Sequence, residues 1–354
     1  MENRIYFFLI LSFVGINLVR SNKATSATID SVQNYNIKTL KAALPLGWKK
    51  FCEADVDEGV MSFFPGNDPS DAKIHLSTPN NQTITLPIKY VSRIGEFGIN
   101  TRLKTIVYVN AFFADHIYHI HGNLIYMQEA RKDYNIIIVD FAQNILQLYN
   151  AIKHNVFVHG YFVSKLISAL VQNGVRQSDI TLVGHSVGAN IAALGGRLHS
   201  EEKTGRRLAA LIAIDPALMC QRKDVYVNAH VCEKVIVIHG ENGIFSVTEP
   251  LGTVDIYPNG NNVRYQPGCN TKICNHVFPF FVFLDAVIEQ TPITAVKCES
   301  WESFRRGKCD YTSLISLDNF KFGNTPHGKY YCITKETPPF GIDVAVEGLK
   351  LQLH

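Results

Sequence analysis

The chain has 354 residues, 46% of them hydrophobic and 18% charged, with a net charge of +3. This is a globular composition, long enough to bury a large core, and it excludes a disordered or fibrous chain. The small charge excess gives no argument for a nucleic-acid partner and only a faint one for anionic membrane surfaces.

The N-terminus reads as an export signal. Met1 to Arg4 brings a positive residue, Ile5 to Val19 is almost wholly apolar, and Val19-Arg20-Ser21 offers small residues for cleavage. We expect a secretory signal peptide over residues 1–21 and an extracellular protein. The rival reading, a short membrane anchor, is weaker because the run falls below the roughly 20 residues that span a bilayer. No other stretch is long enough to cross. Eight cysteines, an even count, fit an oxidising compartment and up to four disulfides. Residues 22–65 read as an N-terminal extension, polar to about Leu44, and residues 66–354 as the main domain. Asn81-Gln82-Thr83 is the only N-glycosylation sequon and lies among polar residues, as a surface turn would.

Short strand-like pieces fall at Asp71–Leu76 and Thr83–Tyr90. Lys104–Val109 and Asn135–Asp140 are β-branched, apolar runs and predict buried strands. Between Tyr149 and Val171 apolar residues recur at helical spacing, with Val156, Val163, Ile167 and Leu170 on one side. Further strands are expected at Ser178–Val183, Leu208–Asp215 and Lys234–His239. A helix is expected to open at Pro279, a good first-turn residue, in the apolar run Phe278–Leu284. Apolar strands alternating with helices imply a mostly parallel sheet covered on both faces. Such sheets bind ligands beyond the carboxyl ends of their strands. Asp140, Ser186, Asp215 and His239 all fall there.

Gly184-His185-Ser186-Val187-Gly188 is the most informative stretch. It is a G-x-S-x-G run between an apolar strand and an apparent helix, where a serine hydroxyl is held exposed on a sharp turn. Its bland reading is an ordinary Gly/Ser turn. In its chemical reading the helix N-terminus aims backbone N–H groups at charge forming beside Ser186, which suits acyl transfer. Val187, the residue after the serine, would give one oxyanion-hole amide. A serine needs a base to take its proton and a carboxylate to orient that base, in the chain order Ser, acid, His. Asp215 follows the strand Leu211–Ile214, and His276 follows it in Cys274-Asn275-His276. Asp255 is the other conceivable acid. His239, at a strand end, is a rival lining residue among 13 histidines. Asp140 reads as structural, and His185 should point into the packing of the turn.

Gly-His-Ser-Val-Gly-Ala, Ile-Asp-Pro-Ala, Asp255-Ile256-Tyr257-Pro258-Asn259-Gly260, Gln266-Pro267-Gly268-Cys269 and Cys274-Asn275-His276 occur in one order. Together they resemble the secreted pancreatic-lipase family, which includes insect lipases and the phospholipases A1 of wasp venoms. The resemblance runs from about Lys104 to Gly341. It implies an α/β-hydrolase fold: a mostly parallel central sheet flanked by helices. It also implies a triad of Ser186 as nucleophile, Asp215 as orienting acid and His276 as general base.

By position in the family, Phe112 would supply the second oxyanion-hole amide. Members usually carry His-Gly before that residue, whereas this chain has Asn110-Ala111. The resemblance also implies that Cys269 and Cys274 frame the lid, here only Asn270-Thr271-Lys272-Ile273, a stub of the venom-phospholipase type. Cys220 and Cys232 would close a second loop at the mouth, Cys298 and Cys309 a third, leaving Cys52 and Cys332 as a remaining pair. With the chain ending at His354, no C-terminal β-sandwich domain and no colipase-like partner are expected. No metal or cofactor is implied. The expected activity is hydrolysis of glycerolipid acyl esters at a membrane or lipid interface, by a phospholipase A1 or short-lid lipase. The rival is a lipid carrier on the same fold, like the yolk proteins of flies. An esterase or acyltransferase for non-lipid substrates would share the triad.

Overall fold

The computed structural model describes residues 72–77, 83–110, 127–128, 131–141, 149–201, 205–219, 227–289, 292–317, 324 and 326–342. The signal peptide, the N-terminal extension, the Asn81 sequon, Phe112, Cys52 and Cys220 lie outside them.

Strands form where apolar and β-branched residues run together. In chain order they are β1 (Lys73–Ser77), β2 (Thr83–Pro87), β3 (Lys104–Asn110), β4 (Tyr134–Asp140), β5 (Ile180–His185), β6 (Leu208–Ile214), β7 (Cys232–Ile238), β8 (Val254–Pro258), β9 (Thr294–Lys297), β10 (Asp310–Ser316) and β11 (Gly328–Cys332). The helices are α1 (Tyr149–Gln172), α2 (Val187–His199), α3 (Lys272–Glu289) and the short α4 (Trp301–Arg305). Among the described residues the strands make one sheet in the order β10-β9-β11-β8-β7-β6-β5-β3-β4-β1-β2. From β11 through to β4 every neighbour pair is parallel, and the margins are antiparallel.

Side chains alternate across each strand, so a strand buried on both faces feeds two cores. Val107, Val109, Leu182, Leu211, Ala213, Val235 and Val237 join the core that holds Val163 and Ile167 of α1 and Ile191 of α2. Ile106, Tyr108, Val183, Ile212, Ile214, Ile236 and Ile238 join the opposite core, with Phe280 and Phe283 of α3. Complete burial of one such side chain is worth roughly 1.5–3 kcal/mol. These layers hold the carboxyl ends of β5, β6 and β7 side by side in register, from His185 against Ile214 to Ile214 against Ile238.

Two expectations are corrected. Helix α3 opens at Lys272 and runs through Pro279. A proline inside a helix removes one backbone hydrogen bond and ordinarily costs about 3 kcal/mol. Here the fully buried Phe280, Val282 and Phe283 that follow it favour continuing the helix into the core. Disulfides join Cys269 to Cys274 and Cys298 to Cys309. Cys232 and Cys332, however, carry free buried thiols, so neither makes its expected bridge to Cys220 or Cys52. Cys232 opens β7 opposite Leu208, and Cys332 closes β11 opposite Pro258, each inside a hydrophobic core. There a thiol packs as a small apolar group.

Candidate active site

The turn between β5 and α2 holds Ser186 at φ 57° and ψ −126°, a positive φ that a side-chain-bearing residue rarely adopts. The strain is held by backbone contacts on both sides. The Ser186 N–H donates to the Ile214 carbonyl at 2.9 Å, and the Ser186 carbonyl accepts from the Ala189 N–H at 3.1 Å. Glycine is required at position 184: a Cβ there would stand 2.5 Å from the Gly188 carbonyl oxygen. Ser186 precedes the first residue of α2, yet its side chain makes no capping bond to the helix. The hydroxyl is therefore directed away, donating to His276 Nε2 at 2.8 Å. The amide of Val187 belongs to the first turn of α2, where N–H groups have no partner within the helix.

His276 lies on α3 and donates through Nδ1 to Asp215 Oδ2 at 2.7 Å. Asp215 follows β6, also at positive φ (41°), and its side chain is fully buried. The Gly240 amide donates to Asp215 Oδ1 at 2.7 Å, and the Glu241 amide reaches both carboxylate oxygens at 3.2–3.3 Å. Burial pushes the Asp215 carboxyl up, while the Gly240 amide, the rings of His239 and His185 and the Glu241 amide oppose that rise. Burial pushes the His276 imidazole down to about 4, with the Glu241 charge opposing it. The resting ring is thus neutral near pH 7 and can accept the serine proton through Nε2.

Ser186, His276 and Asp215, far apart in sequence, form one hydrogen-bonded line beyond the carboxyl ends of β5 and β6. The rival residues stand outside it. Asp255 accepts from His239 Nε2 at 2.8 Å and from the amides of Leu251 and Gly252 at 2.9 and 3.1 Å. His239 also faces the Val247 carbonyl through Nδ1 at 3.1 Å and stacks on Tyr257. Asp140 accepts from the Asn110 side chain at 3.5 Å.

Three contacts were not expected from the sequence. His185 does more than fill the turn: its Nε2 donates to the backbone carbonyl of His276 at 2.8 Å, tying the serine turn to α3. Gly240 and Glu241 hold the acid. Phe245 lies with its ring centroid 6.0 Å from that of His276. The order β5, β6, β7 was a usable signal for the second of these, since residues just after β7 must end beside Asp215. Among the described residues no group of three or more His, Cys, Asp or Glu side chains could hold a metal ion.

The family model described as Lipase matches residues 64–316, more than half of the chain. Lipase member H of Oryctolagus cuniculus is 26% identical over 188 residues, covering 50% of this chain and 41% of the relative. Phospholipase A1 member A of Mus musculus is 27% identical over 193 residues, covering 50% and 40%. Pancreatic lipase-related protein 2 of Homo sapiens is 26% identical over 204 residues, covering 49% and 42%. The matched stretch thus spans about two fifths of each relative's own length. Among solved structures, esterase PE8 aligns over 41% of this chain and 73% of its own at 16% identity and a TM-score of 0.30, too slight a likeness to build on.

Proposed function

We propose a function from one premise: the chain belongs to the lipase family. It is a serine hydrolase of glycerolipid acyl esters, secreted and working at a lipid interface. The observation that carries this reading is the unbroken line from the Ser186 hydroxyl through His276 to buried Asp215, at 2.8 and 2.7 Å.

Ser186 Oγ attacks the ester carbonyl as His276 Nε2 takes its proton. Asp215 holds the Nδ1–H tautomer and offsets the positive charge that forms on the ring. The tetrahedral oxyanion is stabilised by the Val187 amide at the start of α2, with the Phe112 amide as its partner. Collapse of the intermediate transfers the proton from His276 to the leaving glycerol oxygen and leaves an acyl-enzyme. Water then attacks that ester with His276 again as base, restoring the free serine. The loop closed by Cys269 and Cys274 is short, which supports a phospholipase A1 or short-lid lipase over an enzyme gated by a long lid. The two disulfides fit an oxidising, extracellular setting.

The test is covalent labelling by a fluorophosphonate, with Ser186→Ala as control, followed by assays on phospholipid and emulsified triglyceride. Labelling confined to Ser186 and release of the sn-1 acyl chain without strong interfacial activation is the expected result. A folded protein that does not label would overturn the enzyme reading in favour of a lipid carrier. A clear preference for triglyceride would overturn the lid argument.

A further inference from the structure

Glu241 is buried, with 3% of its surface exposed, in the loop after β7. Its amide donates to Asp215. Its Oε2 accepts from the amides of Ile244 and Phe245 at 2.7 and 3.0 Å, which fixes the turn that brings the Phe245 ring to His276. Its Oε1 has no hydrogen-bond partner, and the Lys272 ammonium stands 4.0 Å away. Lys272 opens α3, the helix of His276, and lies inside the Cys269–Cys274 loop. One residue therefore joins the contacts that hold the acid to the turn that packs on the base, and its carboxylate stands 4.0 Å from the ammonium at the start of the helix that carries the base. A buried carboxylate costs several kcal/mol in desolvation, so turn-building alone is an uneconomical reason for a charge here.

Resting on the proposed hydrolase reading, we propose that Glu241 is a positioning residue: a second buried anion that holds the Phe245 turn and steadies the imidazolium formed on His276 during catalysis. The polar or titratable groups in contact with His276 are Ser186 and His185 from the serine turn and Asp215 after β6, and Glu241 after β7 acts on the ring through its charge. Facing Glu241 is Lys272 from α3, and His239 lines with it a small pocket whose other polar side chains, Asn242, Thr248, Tyr257 and Asn261, are uncharged near pH 7. Lys272 also donates to Asn242 Oδ1 and the Arg264 carbonyl, and 27% of its side chain is exposed, so water screens it more than the buried carboxylate.

Glu241→Gln keeps the size and the acceptor for the turn and removes the charge. Without the anion, His276 protonates less readily. The acid limb of kcat/KM on a soluble ester is expected to move to lower pH by roughly half a unit, and the plateau to fall by the matching factor of about three. Glu241→Asp retains the charge and should leave the limb in place even if geometry lowers the rate. Lys272→Met, at a half-open position, should move the limb the opposite way and stands in if the glutamine variant does not fold. A purely structural role lowers the plateau without moving the limb, and that result would overturn the proposal. The His276 ring is also followed by NMR titration, assigned with His276→Asn, so a chain without esterase activity still gives an answer. No wild-type labelling at Ser186 counts against the hydrolase reading, whereas an unmoved His276 titration counts against Glu241.

Discussion

Gly184→Ala puts the geometry of the serine turn to a direct test. The added Cβ would stand 2.5 Å from the Gly188 carbonyl oxygen, 2.6 Å from its carbon and 2.7 Å from the Ala189 nitrogen. All three are backbone atoms of the first turn of α2, so no side-chain rotation relieves the clash. Ordinary contact begins near 3.4 Å, so strand and helix must separate by about 0.9 Å. Ser186 and Val187 ride on that turn, and their shift breaks the 2.8 Å bond to His276. A misplacement of about 1 Å costs roughly 100-fold in rate. Overpacking of this kind costs about 1–3 kcal/mol, which lowers Tm by roughly 2–5 °C in a domain of this size. The assay is the rate of fluorophosphonate modification of Ser186 beside a melting curve. Gly196→Ala is the control, because its nearest neighbour at 3.0 Å is the movable end of the Leu182 side chain. Labelling of folded Gly184→Ala at the wild-type rate would refute the reasoning.

Three further outcomes are expected. Asp215→Asn should fold and lose about 10⁴ in kcat, because the amide stabilises the wrong His276 tautomer; a loss below tenfold would mean that another group orients the ring. Asp255→Asn disturbs the buried carboxylate's bonds to His239 and to the Leu251 and Gly252 amides and should destabilise by about 1–3 kcal/mol while Ser186 still labels at low temperature; folded but unlabelled protein would make Asp255 the acid. Burial lowers His159 and His185 to about 3 and His276 to about 4, so between these values and the usual 6.5 the unfolded chain binds protons that the native chain does not. Their contribution is intact above pH 6.5 and lost as pH falls, by up to about 1.4 kcal/mol per unit for each group; Asp215, raised to about 7, works in the opposite direction and offsets about one of the three, so melting temperature should still drop from pH 7 to pH 5. A flat profile over that range would count against the burial of these rings.

The parallel centre of the sheet was legible because β3 to β7 are unbroken apolar runs whose pattern needs no partner to be read. Ser186 was legible for a local reason: Gly184 and Gly188 mark a turn that few backbones can make. Asp215 and His276 became candidates through chain order, since the strand after the serine and the segment before an aromatic run each offered one suitable group. What escaped were contacts made by groups of no distinctive type. The amides of Gly240 and Glu241 leave no mark in a sequence, and the His185 bond depends on where a carbonyl of α3 comes to rest. The start of α3 was misread because Pro279 suits a first turn, and only the aromatic core behind it shows why the helix tolerates a proline inside. The thiols of Cys232 and Cys332 show a limit of counting, since an even number of cysteines does not say which of them face a core.

The last described strand is also an inner one. β11 lies between β8 and β9, with Gly328 opposite Val254 and Tyr331 opposite Val296. The β9–β10 hairpin, with its Cys298–Cys309 staple, reaches the rest of the sheet only through it. During synthesis that hairpin must therefore wait, its inner edge unpaired, until residues 328–332 leave the ribosome and slot in beside β8. A chain cut short before Gly328 would keep its serine turn, Asp215 and His276 yet carry an open seam at the sheet's margin, the kind of edge to which another chain adds.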